Sequence, residues 1–293
     1  MGALRKFLLS FVVFVAVCGA GLLWYVHYEV GRELTRAVAG VDGLDLAWKG
    51  LSVSILDPAV TLRGVEGSLP TGEHFTAESV RITSFDQRNP IPHYASAEAR
   101  GVRMDRAPVL RQWWPGMARA VEGDDNPCDL ALDYAYSPAS KTLDIRTARL
   151  ACPAMGRLEM NGSLTGLDFA DHRMEQLIGL RIARADVSFT ESALVDSLLR
   201  DTALALNTSE DAVRDQVCAE LEAMADYAAK VGNPEAEQAL RSFCRFVHAP
   251  GTLSLTARPS EPVPVPYFFM GRDIYDNIRL LGLSVTAAEK GDI

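Results

Sequence analysis

The stretch CDLALDYAYSPASKTLDIRTARLAC, residues 128–152, carries the clearest indication of the fold. Apolar and polar residues alternate on both sides of the segment SPASK, whose composition is typical of a turn. Cys128 and Cys152 lie equally far from Ser140, inside that turn, so pairing of the two strands brings them opposite each other. The stretch therefore predicts a β-hairpin with a disulfide between its ends.

The second strand of this hairpin contains one irregularity. Its apolar positions are odd-numbered as far as Ile145 and even-numbered from Ala148 onward. Since side chains alternate between the faces of a strand, such a change of phase would move half of them to the wrong face. An extra residue restores the phase, and we therefore expect a β-bulge near Arg146 or Thr147.

Similar alternating segments lie on both sides of the hairpin. They fill residues 44–104, 156–167 and 177–190, at a spacing of about ten residues in the first of these regions, with Gly, Pro, Asp or Asn between them. Two segments end in Arg-Gly-Val, at residues 63–65 and 100–102, which is too little to define a repeat. The pattern predicts a long antiparallel sheet, wound as a meander.

Helical periodicity replaces this pattern at residues 191–248. The later part of that region predicts two antiparallel helices, at 209–231 and 234–247, because Gly232 can end the first helix and Asn233 can cap the second. The predicted fold is therefore α+β: a long antiparallel sheet that could form a groove, with an inserted α-helical hairpin.

The four cysteines beyond the N-terminal region allow three disulfide pairings. The two predicted hairpins favour Cys128 with Cys152 and Cys218 with Cys244, since each pair is equidistant from its turn. The cysteines include no C-x-x-C motif, and their spacings differ from those of a zinc ribbon, so we expect structural disulfides and no redox or metal site.

The N-terminal run FLLSFVVFVAVCGAGLLWYV, residues 7–26, contains no charged residue and is long enough to cross a bilayer as a helix. Arg5 and Lys6 precede it and aromatic residues close it, which predicts an N-terminus in the cytosol. The alternative is a signal peptide cleaved after Ala20. We expect residues 1–40 to form a cytosolic stub, a transmembrane anchor and a helical extension. Residues 41–293 are then a periplasmic β-rich domain, with the helical insertion at about 191–248.

Composition narrows the classes of partner. The chain has 29 Lys and Arg against 38 Asp and Glu, a net charge of −9. Binding to nucleic acid requires clusters of basic residues, and this balance argues against it. Arginine outnumbers lysine 24 to 5, which is typical of GC-rich bacteria. The predicted location is therefore the bacterial inner membrane, with a single pass and the C-terminal domain in the periplasm.

Motifs of catalysis and cofactor binding are missing from the sequence. It contains no G-x-S-x-G elbow, no P-loop and no dinucleotide-binding glycine pattern. Its five histidines show no H-x-x-x-H, H-x-H or H-E-x-x-H spacing. We therefore expect no enzymatic activity, no catalytic residue, no metal and no cofactor.

Trp113 and Trp114 form the most conspicuous surface candidate. One interpretation is an interface element that dips into a membrane or binds a partner, because Trp suits a boundary between apolar and wet surroundings. The other is a plug that closes one end of the sheet.

The order of parts resembles the AsmA-like class of bacterial inner-membrane proteins: an N-terminal anchor, strands ending in Arg-Gly-Val, the 128–152 hairpin and then GRLEMNGSLTGL at 156–167. The resemblance covers about residues 1–190. It implies a periplasmic sheet that curls into a groove, and a phospholipid as ligand.

Three functions follow as hypotheses. The first is a module that binds or conveys a lipid or other apolar ligand in a β-sheet groove. The second is an interaction or envelope-assembly protein that binds an envelope protein partner and no small ligand, and the third is an enzyme. A contiguous apolar groove favours the first, a flat exposed patch the second, and a pocket of titratable groups the third.

Overall fold

The structure is a computed structural model that describes residues 45–54, 59–68, 73–86, 88–89, 91–104, 126–168, 179–191, 193–269 and 273–290. These residues form an α+β fold that contains one large antiparallel sheet and four α-helices.

The strands are β1 (Asp45–Ser54), β2 (Ala59–Ser68), β3 (His74–Phe85), β4 (Tyr94–Met104), β5 (Cys128–Ser137), β6 (Thr142–Cys152), β7 (Gly156–Thr165), β8 (Arg181–Glu191), β9 (Thr252–Ala257), β10 (Val263–Pro264) and β11 (Leu283–Ala288). The helices are α1 (Leu194–Leu206), α2 (Glu210–Lys230), α3 (Pro234–His248) and α4 (Ile274–Leu281), and a short 3₁₀ helix spans Val265–Phe269.

The sheet is a meander. Its strand order is β1-β2-β3-β4-β5-β6-β7-β8-β9-β11, every neighbouring pair is antiparallel, and β10 pairs with β8 beside this path. Strands β1 to β8 follow one another directly in the sheet, because antiparallel neighbours need only short connections. The predicted antiparallel sheet is confirmed.

The hairpin of β5 and β6 contains the predicted bulge. Asp133 pairs with Thr147, but Tyr134 pairs with Ile145, so Arg146 is the extra residue of β6. The Arg146 guanidinium lies 3.1 Å from the Asp133 carboxylate across the strands. The bulge keeps the apolar residues before and after it on one face of the sheet.

The backbone conformation explains the glycine in each of the two Arg-Gly-Val sequences. Gly64 and Gly101 adopt the left-handed conformation, with φ of 57° and 61°, and lie in one row of the sheet with Glu78 between them. A left-handed residue reverses the alternation of side chains, so that Leu62 and Val65 are both buried although they are three positions apart. A Cβ at Gly101 would lie 2.5 Å from the Glu78 side chain.

Helices α1, α2 and α3 lie between β8 and β9 in the chain. The Ser209 hydroxyl accepts a hydrogen bond from the Ala212 amide and begins α2, and the Asn233 side chain accepts one from the Ala236 amide at the start of α3. Four alanines of α2 and α3 are fully buried, so these parts of both helices pack closely against their surroundings. They are Ala225, Ala228, Ala236 and Ala239.

Among the residues that the structure describes, no helix combines the length and the hydropathy needed to cross a membrane. The predicted anchor at residues 7–26 lies outside the described residues, as do Trp113 and Trp114. Predictions for these residues therefore stay predictions.

Candidate functional site

Two rows of hydrophobic side chains cross the sheet from β1 to β11. Directly paired residues of neighbouring strands point to the same face, so the strand register defines each row. The first row is Leu51, Leu62, Val80, Ala99, Leu130, Leu150, Leu158, Phe189, Leu253 and Ala287. The second row is Val53, Val60, Ile82, Ala97, Leu132, Ala148, Met160, Val187, Leu255 and Val285. We call this side of the sheet the apolar face.

The opposite side of the sheet is polar. The residues between the two rows are Ser52, Thr61, Arg81, Glu98, Ala131, Arg149, Glu159, Ser188, Ser254 and Thr286. The guanidinium of Arg149 lies 3.9 Å from the carboxylate of Glu98 within this row. This contrast is typical of a sheet that packs one face against hydrophobic groups and exposes the other face to water.

The centre of the apolar face is open. Leu130, Leu132 and Met160 are 38%, 44% and 37% exposed, whereas Leu62 and Leu253, nearer the ends of the first row, are 2% and 6% exposed. A cavity of about 390 Å³ lies here, lined mainly by row residues of the six strands from β3 to β8. We call this cavity the apolar groove. Its size falls within the range of small-molecule sites, about 300–1,000 Å³.

Helices cover one end of the apolar face. The ring of Phe246 on α3 packs edge to face against Phe189 of β8, with 6.0 Å between the ring centroids. Ile278 of α4 belongs to the same buried cluster as Leu253 and Val285 of the sheet. The helical insertion therefore turns the β8–β9–β11 end of the face into core and leaves the middle open.

The disulfide between Cys128 and Cys152 lies beside the groove and joins β5 to β6. Both cysteines are buried in a cluster with Met155 and Leu194. This confirms the first predicted disulfide, and it anchors one end of the two central strands.

The opposite end of β5 contacts the connection between β3 and β4. The buried carboxylate of Asp86 accepts hydrogen bonds from the Asn89 side chain and from the amides of His93 and Arg88, which lower its pKa from 3.8 to about 2. The Tyr134 hydroxyl donates to the Pro92 carbonyl at 3.0 Å. Both ends of β5, the strand that carries Leu130 and Leu132, are therefore held by specific contacts.

The second predicted disulfide, between Cys218 and Cys244, is wrong. The helices form the expected antiparallel pair, but both cysteines are free and buried. The Cys218 thiol donates a hydrogen bond to the backbone carbonyl of Cys244 at 3.3 Å, and its sulfur lies within 4.8 Å of the Cys244 sulfur without a bond between them. Burial, followed by the neighbouring Cys244, raises the pKa of Cys218 to about 12.

Two further side chains approach this thiol pair. The ligand atoms of Cys218, Cys244 and His248 all lie within 4.8 Å of one another. The Glu222 carboxylate lies 4.0 Å from the Cys244 sulfur. The sequence contained a signal for this arrangement that we did not use: Cys218 with Glu222, and Cys244 with His248, are each four residues apart, which places each pair on one face of its helix.

Comparison with known proteins adds little. A protein-family model described as "Uncharacterized protein" matches residues 149–288, from the end of β6 through the helical insertion to β11. No curated protein matches the chain.

Proposed function

We propose that residues 7–26 anchor this protein in the bacterial inner membrane and that its apolar groove, on the periplasmic side, binds an acyl chain of a phospholipid. The observation that carries the proposal is the open centre of the apolar face, where Leu130, Leu132 and Met160 are more than a third exposed. Large contiguous apolar surfaces of this kind mark binding sites in soluble domains.

The chemistry of the groove favours a hydrocarbon chain over a peptide. The backbone groups of β3 to β8 are already paired within the sheet, and the side chains of the two rows are hydrophobic. A peptide laid on this face would find few partners for its own amides and carbonyls, at a cost of about 1–3 kcal/mol for each buried group left unpaired. A methylene chain has no such groups and gains about 0.8 kcal/mol per buried methylene.

The length of the groove also suits an acyl chain. Six neighbouring strands lie about 4.8 Å apart, so the groove extends about 24 Å across β3 to β8. The hydrocarbon core of a bilayer is about 30 Å thick, and one acyl chain therefore spans about 15 Å of it. One chain fits within the groove.

Two sequence features support the membrane setting. The uncharged run at residues 7–26 has the length of a transmembrane helix, and the order of parts resembles that of AsmA-like proteins. The Cys128–Cys152 disulfide is consistent with an oxidising compartment such as the periplasm. No enzymatic reaction is part of the proposal.

Photocrosslinking tests the ligand and its position together. The full-length protein in a mild detergent is incubated with a phosphatidylethanolamine that carries a diazirine within one acyl chain, illuminated, digested and analysed by mass spectrometry. We expect crosslinked peptides from β5, β6 and β7, and co-purified phospholipid in native mass spectra. Crosslinks confined to the polar face, or a dimer that buries the groove and excludes lipid, would contradict the proposal.

Topology is tested separately at Ser260, an exposed residue after β9. A membrane-impermeant maleimide added to intact spheroplasts should label a Ser260→Cys variant and leave the parent chain unlabelled, because Cys218 and Cys244 are buried and Cys18 lies within the proposed membrane anchor. Labelling only after the spheroplasts are lysed would place this domain in the cytosol.

A further inference from the structure

The second group of converging side chains lies between α2 and α3, away from the apolar groove. Cys218 and Cys244 are 3% and 5% exposed, and His248 is exposed at the end of α3. The two sulfurs and an imidazole nitrogen lie within 4.8 Å of one another. Three ligands of two types, two thiols and one imidazole, therefore lie close together, and both types bind soft and borderline metal ions.

The helix geometry explains why they meet. Cys244 and His248 are one turn apart on α3, and Cys218 and Glu222 are one turn apart on α2, so each pair faces the other helix. The Cys218 thiol is already within 3.3 Å of the Cys244 carbonyl, which shows how closely the helices approach at this level. The Glu222 carboxylate, which is not part of the three-residue cluster, lies 4.0 Å from the Cys244 sulfur and can supply a fourth donor after a side-chain rotation.

The donor set matches zinc, and the ligand atoms lie somewhat farther apart than bound zinc requires. Zinc takes four ligands in a tetrahedron, about 2.3 Å from sulfur and 2.0–2.2 Å from nitrogen or oxygen, which separates the ligand atoms by about 3.3 to 3.8 Å. The atoms of the three-residue cluster need to contract by no more than about 1.5 Å to reach this geometry, within the range of a rotamer adjustment. A surface cavity of about 430 Å³, lined by Glu222 and Cys244 among others, connects the site to solvent.

We propose that Cys218, Cys244 and His248 bind one zinc ion between α2 and α3, with the Glu222 carboxylate as the fourth ligand. Each thiol loses its proton to solvent as the metal–sulfur bond forms. The ion links the two helices of the hairpin whose second member, α3, packs on the sheet through Phe246. With four protein ligands the site is structural, and it does not depend on whether the groove binds lipid.

Metal analysis and cobalt substitution test this site. The full-length protein in detergent should contain one zinc per chain when it is purified without chelator. After the zinc is removed and replaced by Co²⁺ under reducing conditions, the protein should show the intense absorption of a cobalt–thiolate bond. Cys218→Ser and Cys244→Ser should each weaken that absorption and lower the metal affinity at least tenfold.

His248→Ala is the decisive variant, because His248 is exposed and its removal leaves the packing between the helices intact. We expect it to weaken zinc binding at least tenfold, with an unchanged circular dichroism spectrum. The matched control is His74→Ala on β3, an exposed histidine far from α3 in the fold, which should change the affinity less than twofold.

Three results would overturn the proposal. The first is a Cys218–Cys244 disulfide in the protein as purified, detected by non-reducing peptide mapping. The second is a pair of free thiols with no zinc bound at micromolar concentration of the metal. The third is equal weakening by His74→Ala and His248→Ala, which would show binding elsewhere.

Discussion

Replacing Leu132, the most exposed large residue of the apolar groove, should weaken phospholipid binding by a predictable amount. Complete burial of a leucine side chain contributes about 1.5–3 kcal/mol. Leu132 is 44% exposed, so an acyl chain can cover less than half of its surface, a contribution of about 0.7–1.3 kcal/mol. Leu132→Ala should therefore raise the dissociation constant about three- to ninefold, since each 1.4 kcal/mol is a factor of ten.

Leu132→Glu should have a larger effect, because a carboxylate beside a hydrocarbon chain loses water without gaining a partner. We expect more than a tenfold rise in the dissociation constant. The matched control is Ser188→Glu, which adds the same charge on β8 but on the polar face and outside the lining of the groove. It should leave binding within twofold of the wild type.

The assay is a titration of the full-length protein in mild detergent with a phosphatidylglycerol that carries an environment-sensitive fluorophore on one acyl chain. Thermal unfolding of each variant controls for loss of the fold. The reasoning is refuted if the two glutamate variants bind equally well, or if Leu132→Glu retains wild-type affinity while it remains folded.

Three further predictions concern stability. Replacing Cys128 and Cys152 together with Ser should lower the free energy of unfolding by about 3 kcal/mol, the chain-entropy value for a loop of this length, measured by denaturant titration without reductant; an unchanged midpoint would contradict this. Gly101→Ala should cost about 1–2 kcal/mol because Gly101 has a φ of 61°, whereas Gly50→Ala, where the added Cβ meets only ordinary van der Waals contact, should cost much less in the same titration. The carboxyl of Asp86 has a pKa lowered from 3.8 to about 2, so its ionised form stabilises the fold above about pH 4 and this stabilisation is lost as the pH falls toward 2. The difference in melting temperature between the wild type and Asp86→Asn should accordingly be constant above pH 5 and shrink between pH 4 and 2. A difference that grows as the pH falls through this range would contradict the lowered pKa.

The local parts of the fold could be predicted from the sequence. The hairpin at 128–152, its bulge at Arg146 and its disulfide follow from period-two alternation and from turn residues, which act over a few positions. The pair α2 and α3 follows from period-3.6 spacing, with Ser209 and Asn233 as caps. These features depend on residues that lie close together in the chain, and the sequence therefore shows their pattern directly.

The candidate sites depend on tertiary structure. Alternation within each strand indicates that one face is apolar, but only the register of ten strands aligns Leu130 with Leu150 and Leu158 in a continuous row. Only the packing of the helices on β9 and β11 decides which part of that row stays open, because coverage depends on elements far apart in the sequence.

The orientation of the cysteine side chains also depends on tertiary structure and could not be predicted from the sequence. Their distance from the loop at Gly232 predicted that Cys218 and Cys244 lie at the same height on two antiparallel helices, and they do. The rotation of each helix about its axis decides where the sulfurs point, and for α3 this rotation is constrained by the packing of Phe246 and of buried alanines against the sheet. Spacing along the chain therefore determined which residues meet, whereas the packing of distant elements decided whether they bond to each other or converge with His248 and Glu222.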